Sequence, residues 1–487
     1  MSSTGRPLPT TFECIEATAL REPRRLALVQ NMETWTYEAL YVDTVRTMRI
    51  LAELGVKRGD RVAVGTEGFQ ASMVLLVALE NMGTVTASFL PKNDADANRL
   101  FGMVDWVFSD SPQVTPEQVR FVLVDAHLVL RIEIVNFADL RPLPSAPLSP
   151  DEPQRIARTS GSSGQSKFML LSRHAQDYWI HDVAASCRLD ADSRLLMTGP
   201  LVANGTFARA SACLRIGAAV FDCPRMRSVL PEVTHIAAMP VQLESLLAGL
   251  PADYKPPRAI SVCTVGGFVA PSLRAAAVQR FGGQVFSRYG INETGGICDD
   301  VDANGAGVLK AGVDLRIVDD DGRDVPQGKA GIVAVRTPGM VDSYIDESEA
   351  ARHAFRDGWF LTGDWGVLVA ARVLRLLGRR DDLVNIGGIK VAATTIETQV
   401  RNLAQPKDCA VLSVNLDGGQ ASIGIALVAG AGDARDALRR RIAEGLQLGA
   451  TVGAKVIFLP MLPCLRSGKI DRVALLRLFE APPPGSI

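Results

Sequence analysis

Paired cysteines are missing from this chain: its eight cysteines are scattered, with no C-x-x-C among them. Histidine is scarce as well, five in 487 residues, and no H-E-x-x-H occurs. These absences argue against a zinc site and a disulfide scaffold, and scattered thiols fit a reducing compartment. No sign of charge dominates either. With 52 Lys+Arg against 53 Asp+Glu, no global field draws the chain to nucleic acid or to an anionic membrane. The run Arg439-Arg440-Arg441 reads as the solvated face of a helix. The longest early apolar run, Met73 to Leu79, falls far short of the ~20 residues of a membrane span. The opening MSSTGRPLPT lacks the basic-then-apolar plan of a signal peptide. A cytoplasmic enzyme with no nucleic-acid or membrane partner is expected.

What the chain does contain is alternation. Short apolar runs such as Val62-Ala63-Val64, Phe121 to Val124, Ala218 to Phe221, His235 to Ala238 and Ser261 to Val265 are followed by helical patterns. That rhythm predicts an α/β protein whose mainly parallel strands are covered on both faces. Five prolines between Pro142 and Pro153 predict an extended linker. Leu315 to Val318, the turn Asp319-Asp320-Asp321-Gly322 and Ile332 to Val335 predict an antiparallel strand pair. The character changes near Gly378 to Asp381. The segment beyond it, with strands at Cys409–Val414 and Ser422–Val428 and a helix at Ala434–Gln447, predicts a small separate domain.

The densest cluster of anion-binding chemistry is Arg158-Thr159-Ser160-Gly161-Ser162-Ser163-Gly164-Gln165-Ser166-Lys167. Glycines let backbone N–H groups turn inward around an anion, hydroxyls add donors, and lysine adds a compact positive charge. No lysine follows Gly164 directly, so this is not the Walker-type loop. Four motifs follow in order: Tyr289-Gly290-Ile291-Asn292-Glu293, Thr362-Gly363-Asp364, Gly378-Arg379-Arg380-Asp381-Asp382 and Ser467-Gly468-Lys469.

Together these motifs resemble the adenylate-forming superfamily: acyl- and aryl-CoA synthetases, luciferases and peptide-synthetase adenylation domains. The resemblance implies a large N-terminal domain, residues 1–379, of α/β sheets with a small β-barrel-like portion. It implies a small mobile α+β domain at 380–487 that carries the catalytic lysine. Thr159, Ser160, Gly161, Ser162, Ser163, Gly164 and Lys167 would then hold the phosphates of ATP. Tyr289 offers a flat face to adenine, with Gly290 and Asn292 beside it. Glu293 is a hard oxygen ligand for Mg²⁺. Asp364 accepts from the ribose hydroxyls, and Arg379 presents a planar fork to ribose or phosphate. Lys469 would meet the charge that develops as a carboxylate attacks the α-phosphorus. Asp381 matches the hinge about which the small domain rotates, and Gly388 lies where a pantetheine arm would slide along bare backbone.

The chain departs from the family pattern at several positions. Ser166 replaces a proline, Phe168 a glycine, Asn292 a threonine and Asn385 a lysine, and Cys464-Leu465 replaces a Lys-Thr pair. Lys167, Glu293, Asp364, Arg379 and Lys469 all survive, which favours an active, divergent enzyme over a catalytically silent nucleotide-binding protein. The segment Gly199 to Phe207 aligns with the acyl pocket and has none of the aspartates that hold an α-amino group. Asn204, Phe207, Gly266, Gly267 and Phe268 are expected to form a flat slot for an aromatic or small cyclic acid, with an aliphatic acid as the alternative. The acceptor is the thiol of CoA or, alternatively, the phosphopantetheine of an acyl carrier protein.

Overall fold

The computed structural model describes residues 8–136, 149–159, 166–223, 226–251, 253–264, 266–267, 269–302, 304–345, 353–386, 389–415, 421–428, 435–446, 454–464 and 470–480. The chain divides into two compact units. The first comprises 1–303, 307–314 and 336–360; the second comprises 304–306, 315–335 and 361–487.

Two sheets build the first unit. One runs in the order Arg120–Leu123, Trp106–Ser109, Arg61–Gly65, Val85–Ser88, Pro153–Thr159, Lys167–Ser172, and only its last strand is antiparallel to its neighbour. The other runs Gly282–Ser287, Ile260–Thr264, His235–Ala238, Arg194–Met197, Ala219–Asp222, Leu26–Gln30, Glu33–Thr36, parallel up to the final hairpin. The apolar runs at Val62, Ala218, His235 and Ser261 are strands of these sheets covered on both faces, which need no polar side, while the Phe121 run is the partly exposed edge strand Arg120–Leu123.

The run Met73 to Leu79 belongs to the helix Phe69–Asn81, which is buried on nearly every face. Its side chains share one core with Val62, Val64 and Phe108 of the first sheet and Leu28, Leu195 and Val220 of the second. A helix apolar all round belongs inside such a core. No helix among the described residues is long and apolar enough to cross a membrane. All eight cysteines are free.

Strands Asp314–Val318, Gly331–Arg336, Trp359–Ala370 and Val373–Arg379 lie side by side, and among the described residues this run does not close into the barrel-like portion expected. The acidic turn forms as expected, with the N–H groups of Asp321 and Arg323 donating to the carboxylate of Asp319. Beyond it, Asp408–Asn415 and Ala421–Val428 pair antiparallel, and Ala454–Phe458 joins them in parallel. Strand alternation divides the side chains between two cores. Cys409 and Val411 pack with Ile396, Val400 and Leu438, while Ala410, Leu412 and Val414 pack with Leu475 and Phe479.

Candidate active site

Pro153–Thr159 and Lys167–Ser172 form an antiparallel hairpin in which Thr159 stands opposite Lys167. The glycine- and serine-rich segment is the connection between them. Ser160, Gly161, Ser162, Ser163 and Gly164 lie outside the described residues. Past the hairpin, Ser172 caps the helix Arg173–Ser186 by accepting from the Ala175 N–H.

Lys167 Nζ lies 4.7 Å from the centre of the Tyr344 ring. The hydroxyl of that tyrosine donates to Glu293 Oε1 at 2.6 Å. Both Tyr344 and Glu293 are buried. The ring's negative face favours the ammonium, and the phenol fixes the carboxylate, so one tyrosine orients two candidate groups. Tyr344 carried no signal in the sequence, since its role depends on contacts across 51 residues of chain.

Tyr289 sits half-buried in the strand Tyr289–Ile291, paired with Gly295–Asp299. At Gly290 a Cβ would lie 2.6 Å from the Gly295 carbonyl oxygen, so this pairing requires glycine. Asn292 Nδ2 donates to the carbonyl of Arg158 at 3.3 Å, joining this motif to the residue before Thr159. The Val341 N–H donates to the Glu293 carbonyl and holds its backbone.

The expected acyl slot takes a different form. Asn204 and Phe207 are both buried, and a side chain the sequence reading passed over, Arg155, fills the space beside them. Its Nε donates to Asn204 Oδ1 at 3.0 Å, and its guanidinium stacks 3.8 Å from the centre of the Phe207 ring. Two more donations go to Thr86 and Ser88 at 3.2 and 2.9 Å. Phe207 is therefore a platform for Arg155 and not an open wall for a ligand. Because guanidinium only donates, the Asn204 amide must turn its oxygen to Arg155. Among the described residues, that leaves Nδ2 as a buried donor without a partner. Gly199, Pro200, Leu201 and Val202 line a cavity of about 500 Å³, together with Thr198 and Asp222. Gly266, in a left-handed conformation at φ 75°, lies against Met239, and Gly267 against Pro240. Phe268 lies outside the described residues.

In the second unit, Asp364 and Arg379 stand opposite each other on paired strands. Arg379 Nη1 donates to Asp364 Oδ1 at 3.0 Å and to the Thr362 carbonyl at 2.9 Å. The two residues that the motifs separate by 15 positions thus form one polar patch, with the aspartate mostly buried and the arginine half-exposed. Arg380–Asp382 is a turn of 3₁₀ helix. The Asp381 side chain, Gly388 and Lys469 lie outside what the structure describes.

Among the described residues, no three His, Cys, Asp or Glu side chains gather into a metal cage. A single carboxylate held in place, such as Glu293, fits Mg²⁺, which takes one or two carboxylates and completes its shell with water and substrate phosphates.

This fold and set of residues belong to a class. The family model for the AMP-binding enzyme matches residues 15–345, and the chain belongs to that family. Among curated relatives it is similar to the indoleacetate–CoA ligase of Aromatoleum aromaticum, 28% identical over 347 residues that cover 67% of each chain. It is also similar to the 2-succinylbenzoate–CoA ligase of Bacillus mycoides, 25% identical over 95% of this chain and 97% of that one. Among solved structures, ATP-bound MatB from Rhodopseudomonas palustris superposes with a TM-score of 0.83 at 21% identity, covering 97% and 99% of the two chains. O-succinylbenzoate CoA synthetase from Bacillus subtilis, with ATP and magnesium ion, gives 0.78 at 21% over 95% and 99%.

Proposed function

We propose that this chain is an AMP-forming acid–thiol ligase. It joins a carboxylic acid to ATP, releasing pyrophosphate, and passes the acyl group to the thiol of CoA. The observation that carries this reading is the array Lys167–Tyr344–Glu293 at the foot of the phosphate-loop hairpin. Membership of the AMP-binding family and the CoA-ligase relatives support it.

In the first step a carboxylate oxygen attacks the α-phosphorus and pyrophosphate leaves. The acid is already a nucleophile, so catalysis needs charge stabilisation and positioning and no general base. Lys167, with Thr159, Ser160, Gly161, Ser162, Ser163 and Gly164, holds the phosphates; Tyr289, Gly290 and Asn292 border the adenine. Asp364 and Arg379 take the ribose, and their contact keeps the acceptor and the fork together. Glu293 would hold Mg²⁺, which supplies neutralising charge on the phosphate oxygens. Lys469 meets the developing charge. In the second step the thiol sulfur attacks the acyl carbonyl and AMP departs. For this, residues 380–487 turn about Asp381 relative to 1–379, and Gly388 moves to the thiol path.

The acid is aromatic or small and cyclic on this reading, with Gly266, Gly267 and Phe268 beside it. The unpartnered Nδ2 of Asn204 supports a ring hydroxyl or carbonyl as its acceptor. CoA is the acceptor on this reading, with a carrier-protein phosphopantetheine as the alternative, and the compartment is the cytoplasm.

Acid-dependent exchange of labelled pyrophosphate into ATP, run over a panel of aromatic, cyclic and aliphatic acids, tests the reading. Exchange with at least one acid, and an acyl-CoA and AMP when CoA is added, is the expected outcome. No exchange with any acid by protein that is folded would overturn it.

A further inference from the structure

One short segment of chain grips both ends of the phosphate-loop hairpin. On the near side, Asp94 takes the Arg158 guanidinium through two hydrogen bonds of 2.7 Å, one to each carboxylate oxygen. On the far side, Ser166 Oγ donates to Asp96 Oδ2 at 2.6 Å, and Arg99 Nη1 donates to the Ser166 carbonyl at 2.8 Å. Arg99 also lies 5.3 Å from the centre of the Phe168 ring. That ring is buried in the cluster of Phe89 and Phe101. The gripping segment is itself braced, since the N–H groups of Leu90 and Asp96 both donate to Asp94.

Burial pushes the Asp94 carboxyl up, yet the Arg158 hydrogen bonds and those two N–H groups outweigh it and hold the group below its ordinary range. The carboxylate is committed to its contacts.

Ser166 and Phe168 are two of the positions at which this sequence departs from the family pattern, where proline and glycine stand. A proline limits the backbone from within by fixing φ, and serine does not. Here the restraint comes from outside the loop, through contacts spanning 64 to 70 positions of sequence. Phe168 does not crowd the turn, because its ring points into the core.

We propose that Asp94, Asp96 and Arg99 are positioning residues for the phosphate loop, replacing the internal stiffness that a proline provides with an external clamp. The clamp fixes the hairpin ends, and so sets where Lys167 meets the nucleotide. This inference rests on the ATP reading.

The test compares Asp96→Ala, Ser166→Ala and the double variant Asp96→Ala/Ser166→Pro with the wild type. Two quantities are read: amide hydrogen exchange in the peptide spanning residues 157–170, and the dissociation constant of ATP without acid. Ser166→Ala loses the one charge-assisted hydrogen bond to Asp96, so ATP binding is expected to weaken about tenfold; Asp96→Ala also loses the ion pairs of Asp96 with Arg158 and Arg99 and should weaken it at least as much. Exchange should quicken in that peptide alone. Restoring proline should return the ATP dissociation constant to within about threefold of wild type. Ser166→Ala leaves the acidic turn intact, so it carries the test if Asp96→Ala does not fold. Unchanged exchange and ATP affinity in Ser166→Ala overturn the clamp, as does a folded double variant whose ATP affinity stays weak. A wild-type protein that binds no ATP overturns the ATP reading, while the exchange data still decide whether the clamp exists.

Discussion

At the scale of single residues, Tyr344 and Asn204 separate roles that a motif cannot. The Tyr344 hydroxyl fixes Glu293, and its ring supports the Lys167 ammonium. Tyr344→Phe removes only the first. Losing a buried hydrogen bond to a charged group costs about 1.5–3 kcal/mol, so adenylation should slow by ten-fold or more and need more Mg²⁺, with little change in the KM for ATP. Tyr344→Leu should raise that KM as well. Pyrophosphate exchange over a magnesium series reads both, and equal behaviour of the two variants would remove the distinction. At Asn204, replacement by Ala strips Arg155 of an acceptor and should lower stability by about 1–3 kcal/mol whatever the acid. Asn204→Asp keeps an oxygen for Arg155 and deletes the donor. It should cost ring-hydroxylated acids roughly tenfold in kcat/KM relative to acids without the hydroxyl. The same loss for every acid would mean that Nδ2 does not touch the substrate.

Among elements, the buried Arg155 ties strand Pro153–Thr159 to strand Val85–Ser88 and to the first residues of helix Asn204–Ile216. Among the described residues no carboxylate comes within ion-pair distance of it, and burial lowers its pKa to about 10 against the pull of Glu80. Glu80, on helix Phe69–Asn81, is raised by burial to about 7, with Arg155 opposing. An acid whose folded pKa exceeds its unfolded one supports the fold fully below the unfolded value, here about 4.5. That support is lost as pH climbs through about 7, a change of order 3 kcal/mol. Glu80→Gln cannot ionise. Its melting temperature should therefore gain on the wild type between pH 5 and pH 8, and parallel curves would show that Glu80 does not titrate in that window.

Considered whole, the protein should show two half-reactions that fail separately. On the proposed mechanism, in which the charge of Lys469 acts at the α-phosphorus, Lys469→Ala should abolish adenylate formation and spare transfer from supplied acyl-AMP. On the same mechanism, in which Gly388 borders the thiol path, Gly388→Val should do the reverse. Product analysis by chromatography with and without acyl-AMP distinguishes them, and loss of both steps in either variant would end the division of labour.

Much of this was legible without coordinates. The apolar runs at Val62, His235 and Ser261 became parallel strands because a strand covered on both faces must be apolar throughout. The helix foreseen at 434–447 is Arg435–Gly445. Thr159, Lys167, Glu293, Asp364 and Arg379 could be proposed from residue type and local setting, and the fold brings Lys167 and Glu293 to one tyrosine and Asp364 to Arg379. Arg155, Tyr344 and Asp94 could not. Each looks like an ordinary strand, loop or turn residue, and the distant partners lie 46 to 69 positions away for Arg155, 51 and 177 for Tyr344, and 64 for Asp94. Local pattern reports what a residue does for its own turn or strand. Which distant side chains meet is decided by sheet order and packing, and only the folded chain supplies that.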